Sequence, residues 1–336
     1  MCITMTYTYG PVASWRYGRS LGIDVTTRPK KCTFNCIYCQ LGSTIEHVVS
    51  PDDILDKLPS SQDILKEVYS VLRRLDLNSI DAVTFSGAGE PTLNLEIGVL
   101  ADAIKREIQS LPLVLLTNAS LLQTPEVRKN LTGFDIISAK MDAGDDRTFR
   151  LINHPARGIF TLDDIIDGIK KLHKQMYGTL ALEVMLLKGP QGLTNAEGQA
   201  RGALIERILE ITPDVVQIYT PWRPSAVEGI QPLSVNILHE FGQELGEYLG
   251  MDKIWVYGYH DARNKPVRWK NHNKIENEII DLLRRRPCRI SDVIVSMGIK
   301  TALAKHILNS LLKSGEVSIQ KIENESFYRI VNYPEV

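Results

Sequence analysis

The 336-residue sequence is 43% hydrophobic and 24% charged, with a net charge of −1. That excludes a disordered, collagen-like or coiled-coil chain, and the length calls for more than one folding unit. No apolar run reaches the ~20 residues of a membrane span and the N-terminus lacks an apolar leader block, so a cytoplasmic protein with no membrane contact is expected.

In chain order, residues 1–20 form an N-terminal extension ahead of the first regular pattern. From Leu21 to about Tyr259 short apolar runs alternate with segments of helical period, as in βα units building a parallel sheet. The expected strands are Leu21–Thr26, Ala82–Ser86, Leu113–Asn118, Asp135–Asp142, Thr179–Lys188 and Val215–Thr220. Their near-continuous hydrophobicity fits strands covered on both faces. Amphipathic helices are expected at Asp63–Leu75, Leu95–Ile108, Leu162–His173, Arg201–Ile211 and Val235–Leu249. Six units make either a partial barrel over 21–261 or a doubly wound sheet, and in both cases functional groups gather beyond the strand ends. Residues 262–273 read as a polar, basic linker. Within 274–336 three helical segments precede two alternating runs, the order of a winged helix. Charge is uneven: from Arg263 to Gly315 twelve Lys and Arg stand against four Asp and Glu, a balance of +8 that leaves −9 elsewhere. Such a bias can mark an anion or nucleic-acid contact.

Three of the five cysteines, Cys32, Cys36 and Cys39, fall within eight residues directly after the first expected strand. A closed zinc site needs four ligands, and neither a fourth Cys nor a His pair completes this set. Three thiolates on one short loop can hold three irons of a [4Fe–4S] cube and leave the fourth open to another ligand. Cys2 and Cys288 stand apart in sequence and read as unligated.

This C-x3-C-x2-C loop, with Tyr38 before its last Cys, resembles the radical S-adenosylmethionine (radical SAM) superfamily. The resemblance implies a partial (β/α)6 barrel, a [4Fe–4S] cluster on Cys32, Cys36 and Cys39, and S-adenosylmethionine chelating the open iron. It further implies reductive cleavage to a 5′-deoxyadenosyl radical that abstracts hydrogen, with a flavodoxin- or ferredoxin-like electron donor. Gly87-Ala88-Gly89-Glu90 after the second strand is similar to the family's GGE motif. There small residues allow close backbone approach to a ligand, and Glu90 would neutralise the ammonium of S-adenosylmethionine. Asn118 resembles the family's Thr-Asn strand end. Lys140 and Asp142 alternate onto one face, where by resemblance they would meet the carboxylate or ribose hydroxyls. Tyr38, Gly87, Gly89, Glu90, Asn118, Lys140 and Asp142 are thus the expected cofactor contacts. Glu183, Gln217 and Tyr219 are weaker candidates.

The segment Gly10-Pro11 to Leu21-Gly22 is similar to that of Fe–S oxidoreductases related to wyosine synthesis in tRNA, although the additional cysteines of wyosine synthases are missing. With the basic C-terminal unit, this points to RNA modification. A protein or small-metabolite substrate, or a redox-sensing nucleic-acid-binding protein, are the alternatives. Plainer readings stand beside these: Lys140 and Asp142 as an internal salt bridge, Asn118 as a helix cap, Arg16 and Arg19 as surface charges, His154 as a turn residue. Arg284-Arg285-Arg286 can simply answer the helix dipole.

Overall fold

The computed structural model describes residues 7–108, 110–258, 265–272, 274–322 and 325–331. Its strands are β1 (Thr8–Ser14), β2 (Gly18–Asp24), β3 (Lys31–Cys32), β4 (Glu46–His47), β5 (Ala82–Ser86), β6 (Leu113–Thr117), β7 (Ile136–Lys140), β8 (Thr179–Met185), β9 (Val215–Tyr219), β10 (Ile254–Val256), β11 (Val317–Ile322) and β12 (Glu325–Ile330). Its helices are α1 (Ser61–Arg74), α2 (Ile97–Ile108), α3 (Pro125–Lys129), α4 (Asp146–Asn153), α5 (Leu162–Gln175), α6 (Gly198–Ile211), α7 (Val235–Leu249), α8 (Ile275–Arg285), α9 (Ile290–Met297) and α10 (Thr301–Lys313).

Eight strands form one sheet in the order β1-β2-β5-β6-β7-β8-β9-β10. Every pairing from β2 to β10 is parallel, and β1 adds an antiparallel edge. The six expected strands are all present. Two more were not anticipated. β1 carries Gly10-Pro11 and a register shift between Tyr9 and Val12, and proline is tolerated only at such an edge or bulge. β10 has only three residues, too few for a sequence pattern.

The sheet curls into a half-barrel. The turn between β1 and β2 shows how far: Tyr17 Oη hydrogen-bonds Ser138 on β7 (2.7 Å) and Gln217 on β9 (3.3 Å). Leu162–Gln175 and its counterparts lay buried Leu and Ile faces over the sheet, and one apolar cluster runs from Leu21 to Val267. At ~25 cal/mol per Å², this burial is the main stabilising term.

Beyond the barrel, α8, α9, α10 and the β11–β12 hairpin enclose a second cluster that includes Ile279, Leu282, Val293, Leu308 and Ile330. Val12 of β1 belongs to that same cluster, so this C-terminal unit grows directly on the sheet edge. The described part of the expected linker, 265–272, is pinned rather than loose. Val267 is buried and donates to Val295 O (2.9 Å), while Asp76 N donates to Arg268 O (3.0 Å). No helix among the described residues is long and apolar enough to cross a membrane.

Candidate functional site

The cysteine loop leaves β3 and is clamped by the end of α4. Asn35 N donates to Asn153 O (3.0 Å), Ile37 N to Ile152 O (3.0 Å), and Ala156 N to Thr33 O (2.8 Å). His154 caps α4 in the left-handed conformation (φ 42°), the turn role expected of it. Each sulfur faces an N–H donor: Lys30 Nζ lies 3.1 Å from Cys39 Sγ, Asn153 Nδ2 3.5 Å from Cys36 Sγ, and Asn118 Nδ2 3.6 Å from Cys32 Sγ. Burial pushes the Cys32 thiol up to about 12 and that of Cys36 to about 11. Burial also opposes the Lys30 charge, but the three neighbouring sulfurs outweigh it and raise its pKa. Among the described residues no three His, Cys, Asp or Glu side chains converge on one metal-ion position. A cubane takes one thiolate per iron, so three sulfurs on one loop, each beside a donor that favours the thiolate, fit a [4Fe–4S] cluster held at three corners.

The second motif is tied to the first. Lys31 N donates to Ala88 O (3.2 Å), and Glu90 N to Lys31 O (3.0 Å). A Cβ on Gly89 would sit 1.6 Å from Lys31 O, and one on Gly87 would sit 2.4 Å from Thr26 Oγ1. In this structure the glycines therefore admit the start of the cysteine loop, Gly89 against the Lys31 backbone and Gly87 against the Thr26 hydroxyl. Glu90 is fully enclosed, at 1% exposure. Its Oε1 accepts from Thr92 N (3.0 Å), Thr92 Oγ1 (2.7 Å) and Thr117 Oγ1 (2.6 Å), and its Oε2 from Asn118 N (2.7 Å). Burial outweighs these donors and raises its pKa. Glu90 joins no ion pair among those of the described residues. Asn118 is not a helix cap, since Thr124 is the N-cap of the next helix, α3; its Nδ2 bonds Thr33 Oγ1 (2.7 Å) while its Oδ1 accepts from Ser120 N (2.9 Å).

A charged ladder runs through the barrel interior. Arg16, in the β1–β2 turn, pairs with Glu183, and Tyr219 donates to the same carboxylate. Lys140 Nζ donates to Tyr219 Oη (2.8 Å) and pairs with Asp142 (3.1 Å) and Glu183 (3.6 Å). Tyr38 donates to Asp142, which also accepts from Asn153 Nδ2 (3.1 Å) and Met185 N (2.9 Å). Two cations and two anions balance. Arg16 is therefore not a surface charge: its side chain is 12% exposed, its guanidinium lies 5.4 Å from the Tyr219 ring centroid, and its Nε has no hydrogen-bond partner. Arg19 pairs at the surface with Asp81 (2.8 Å), as a structural charge. The internal-pair reading of Lys140 and Asp142 holds geometrically. Glu183, Gln217 and Tyr219 all point inward and are buried. A cavity of about 10 Å³ touches Asn118, Lys140, Asp142 and Asn153. A larger one of about 220 Å³, lined by residues such as Leu121 and Phe160, includes none of the cysteine loop.

Residues 27–190 match the radical SAM superfamily. The UPF0026 protein slr1464 of Synechocystis is 38% identical over 228 residues, covering 68% of this chain and 80% of that protein. The UPF0026 protein MJ1312 of Methanocaldococcus jannaschii is 28% identical over 96% of each chain. This is a radical SAM protein of the UPF0026 family. Among solved structures, Streptococcus suis SuiB bound to S-adenosylmethionine is 15% identical, with a TM-score of 0.48 over 67% of this chain and 47% of that chain. The radical SAM protein is an enzyme, and membership brings a [4Fe–4S] cluster and S-adenosylmethionine as its cofactors.

Of the expected site residues, Cys36, Tyr38 and Asp142 meet at Asn153, with Lys140 paired to Asp142, while Asn118 joins Cys32 to Thr33 and, through its backbone N–H, to Glu90. Cys39 is held by Lys30, whose charge also neighbours the sulfurs of Cys32 and Cys36. Sequence reasoning missed Lys30, Asn153 and Arg16 as members. Asn153 and Lys30 carry no distinguishing pattern. Arg16 had one signal, a charge between Trp15 and Tyr17, whose rings both lie within 6 Å of its guanidinium. Cys288 is buried in the C-terminal apolar cluster; Cys2 lies outside the described residues.

Proposed function

We propose that this radical SAM enzyme modifies RNA, with tRNA the first candidate, and that its C-terminal unit holds the nucleic acid as a winged helix. The observation that carries the reading is on α10. Lys300 at its N-cap and Lys305, His306 and Lys313 along it are exposed, and none of them appears in an ion pair of the described residues. An exposed cationic row with no acidic partner is what phosphate contact requires. The likeness of the N-terminal segment to tRNA-modifying relatives points the same way.

In this reading Cys32, Cys36 and Cys39 hold the cluster. Glu90, a buried carboxylate whose only described partners are neutral donors, receives the ammonium of S-adenosylmethionine. Asn118, Lys140 and Asp142 meet its carboxylate or ribose hydroxyls, and Tyr38 fixes Asp142 in place. When bound, the cofactors supply reductive sulfonium cleavage and hydrogen abstraction, and the protein supplies position and exclusion of water. A flavodoxin- or ferredoxin-like protein provides the electron.

The enzyme reading is tested by anaerobic reconstitution with S-adenosylmethionine and dithionite. 5′-Deoxyadenosine should form, and a yield no greater than that of Cys36→Ala would refute it. The RNA reading is tested on the full chain by tRNA binding across a salt series. Lys305→Glu with Lys313→Glu should weaken binding and flatten the salt slope by roughly one unit per lysine. Binding that ignores salt would exclude RNA and favour a protein or metabolite substrate.

A further inference from the structure

The basic run that ends α8 turns inward. Arg284 pairs with Asp281 (2.9 Å), and its carbonyl accepts from Arg28 NH2 (3.0 Å) just ahead of the cysteine loop. Arg286 NH2 donates to Ala13 O on β1 (3.3 Å). Arg285 reaches furthest: its NH1 lies 2.5 Å from Asp24 Oδ2, with the two side chains 9% and 0% exposed.

Asp24 ends β2 and sits at a junction. Its other oxygen, Oδ1, accepts from Thr26 N (3.0 Å) and Thr27 N (2.8 Å), which lead into the cysteine loop. The same oxygen accepts from Ala88 N (3.1 Å) in the middle of the Gly-Ala-Gly-Glu turn. One buried carboxylate thus fastens both motif loops, and its cationic partner comes from the C-terminal unit. Tyr9 makes a parallel connection. The Arg285 guanidinium lies 6.0 Å from its ring centroid, and its hydroxyl bonds Ser86 immediately before Gly87.

We propose that Arg285 is a positioning residue of the cofactor site. From the C-terminal unit it fixes Asp24, and through Asp24 the cysteine-loop entrance and the Gly-Ala-Gly-Glu turn, so that S-adenosylmethionine affinity depends on how that unit is seated. The proposal rests on the cofactor-site reading above and adds a coupling to it. By linkage, whatever engages the C-terminal unit and shifts Arg285 changes cofactor affinity, and the cofactor changes affinity for that partner by the same factor. A buried carboxylate that has lost its cation loses the charge balance that holds it in place, so the amides it collects loosen with it.

The experiment compares full-length wild type with Arg285→Met, Arg285→Lys and the near-isosteric Asp24→Asn. Hydrogen exchange on protein without cofactors reads the clamp. The Thr26, Thr27 and Ala88 amides should exchange faster by on the order of tenfold in Arg285→Met and Asp24→Asn, the factor one charge-assisted hydrogen bond corresponds to. Arg285→Lys should restore most of the protection, and amides of β7 and β8 should not change. Equilibrium dialysis of S-adenosylmethionine against reconstituted protein should then show affinity reduced on the order of tenfold or more at unchanged iron content. Unchanged exchange at the three amides would overturn the proposal. So would acceleration spread over the whole chain, or loosened amides with wild-type affinity. Failure of wild type itself to bind S-adenosylmethionine would overturn the cofactor-site reading and with it the affinity coupling, while the exchange result still decides whether the clamp exists.

Discussion

Replacing Arg16 with Met removes one cation from a buried set of four charges. Burial raises the Glu183 carboxyl, yet Arg16 and then Lys140 outweigh it and bring it from 4.5 down to about 2. At ~1.4 kcal/mol per pH unit this difference corresponds to roughly 3 kcal/mol of folded-state stability. Because the folded value lies below the unfolded one, that stability is fully present above about 4.5 and is lost as pH falls toward about 2. In Arg16→Met, Lys140 alone serves both Glu183 and Asp142, and burial drives Glu183 toward its neutral form. The expected loss at pH 7 is about 3 kcal/mol, at the low end of the ~3–5 kcal/mol for removing one partner of a buried pair. Urea unfolding followed by far-ultraviolet circular dichroism at pH 7, 5 and 3.5 reads it directly. The gap between wild type and variant should narrow with acid, and Arg16→Met with Glu183→Met should recover much of the loss, since an apolar pair of similar volume replaces a desolvated one. Equal stability at pH 7, or a gap that stays constant down to pH 3.5, would refute the assignment of Arg16 as the dominant counter-ion.

The remaining expectations concern the motif loops and the terminal unit. Glu90→Gln should keep iron and sulfide content but weaken S-adenosylmethionine binding by roughly ten- to hundredfold, the range of a lost charge-assisted bond, measured by dialysis. Gly89→Ala places a methyl 1.6 Å from the Lys31 carbonyl and should destabilise the chain by the upper part of the ~1–3 kcal/mol range of overpacking, read as a lowered thermal midpoint. Ala88, which is fully buried but already carries a Cβ, should tolerate Ser far better at the same midpoint. Removing the C-terminal unit outright should cause aggregation rather than simply abolish RNA binding, because Val12 of β1 is part of its core; light scattering of such a truncation checks this.

Much of the barrel was legible because its signals are local. A parallel strand buried on both faces is a run of aliphatic residues, and a covering helix is a three- and four-residue period. β1 escaped because Gly10-Pro11 breaks its pattern, and only pairing along β2 makes it a strand. The expected linker looked polar, and Val267, the one aliphatic residue of its described part, is what the core takes in.

By itself the sequence determined where chemistry is concentrated: three thiols at one spacing mark a candidate cluster site before any fold is known, since one loop carries all of them. Tertiary structure decided who neutralises whom. Arg16 looked like a surface charge until the β1–β2 turn folded into the barrel against Glu183, and the arginines closing α8 looked like a simple answer to the helix dipole until Arg285 met Asp24. The physical reason is that a buried charge needs a counter-charge within a few ångströms, and nothing in chain order specifies which distant segment supplies it.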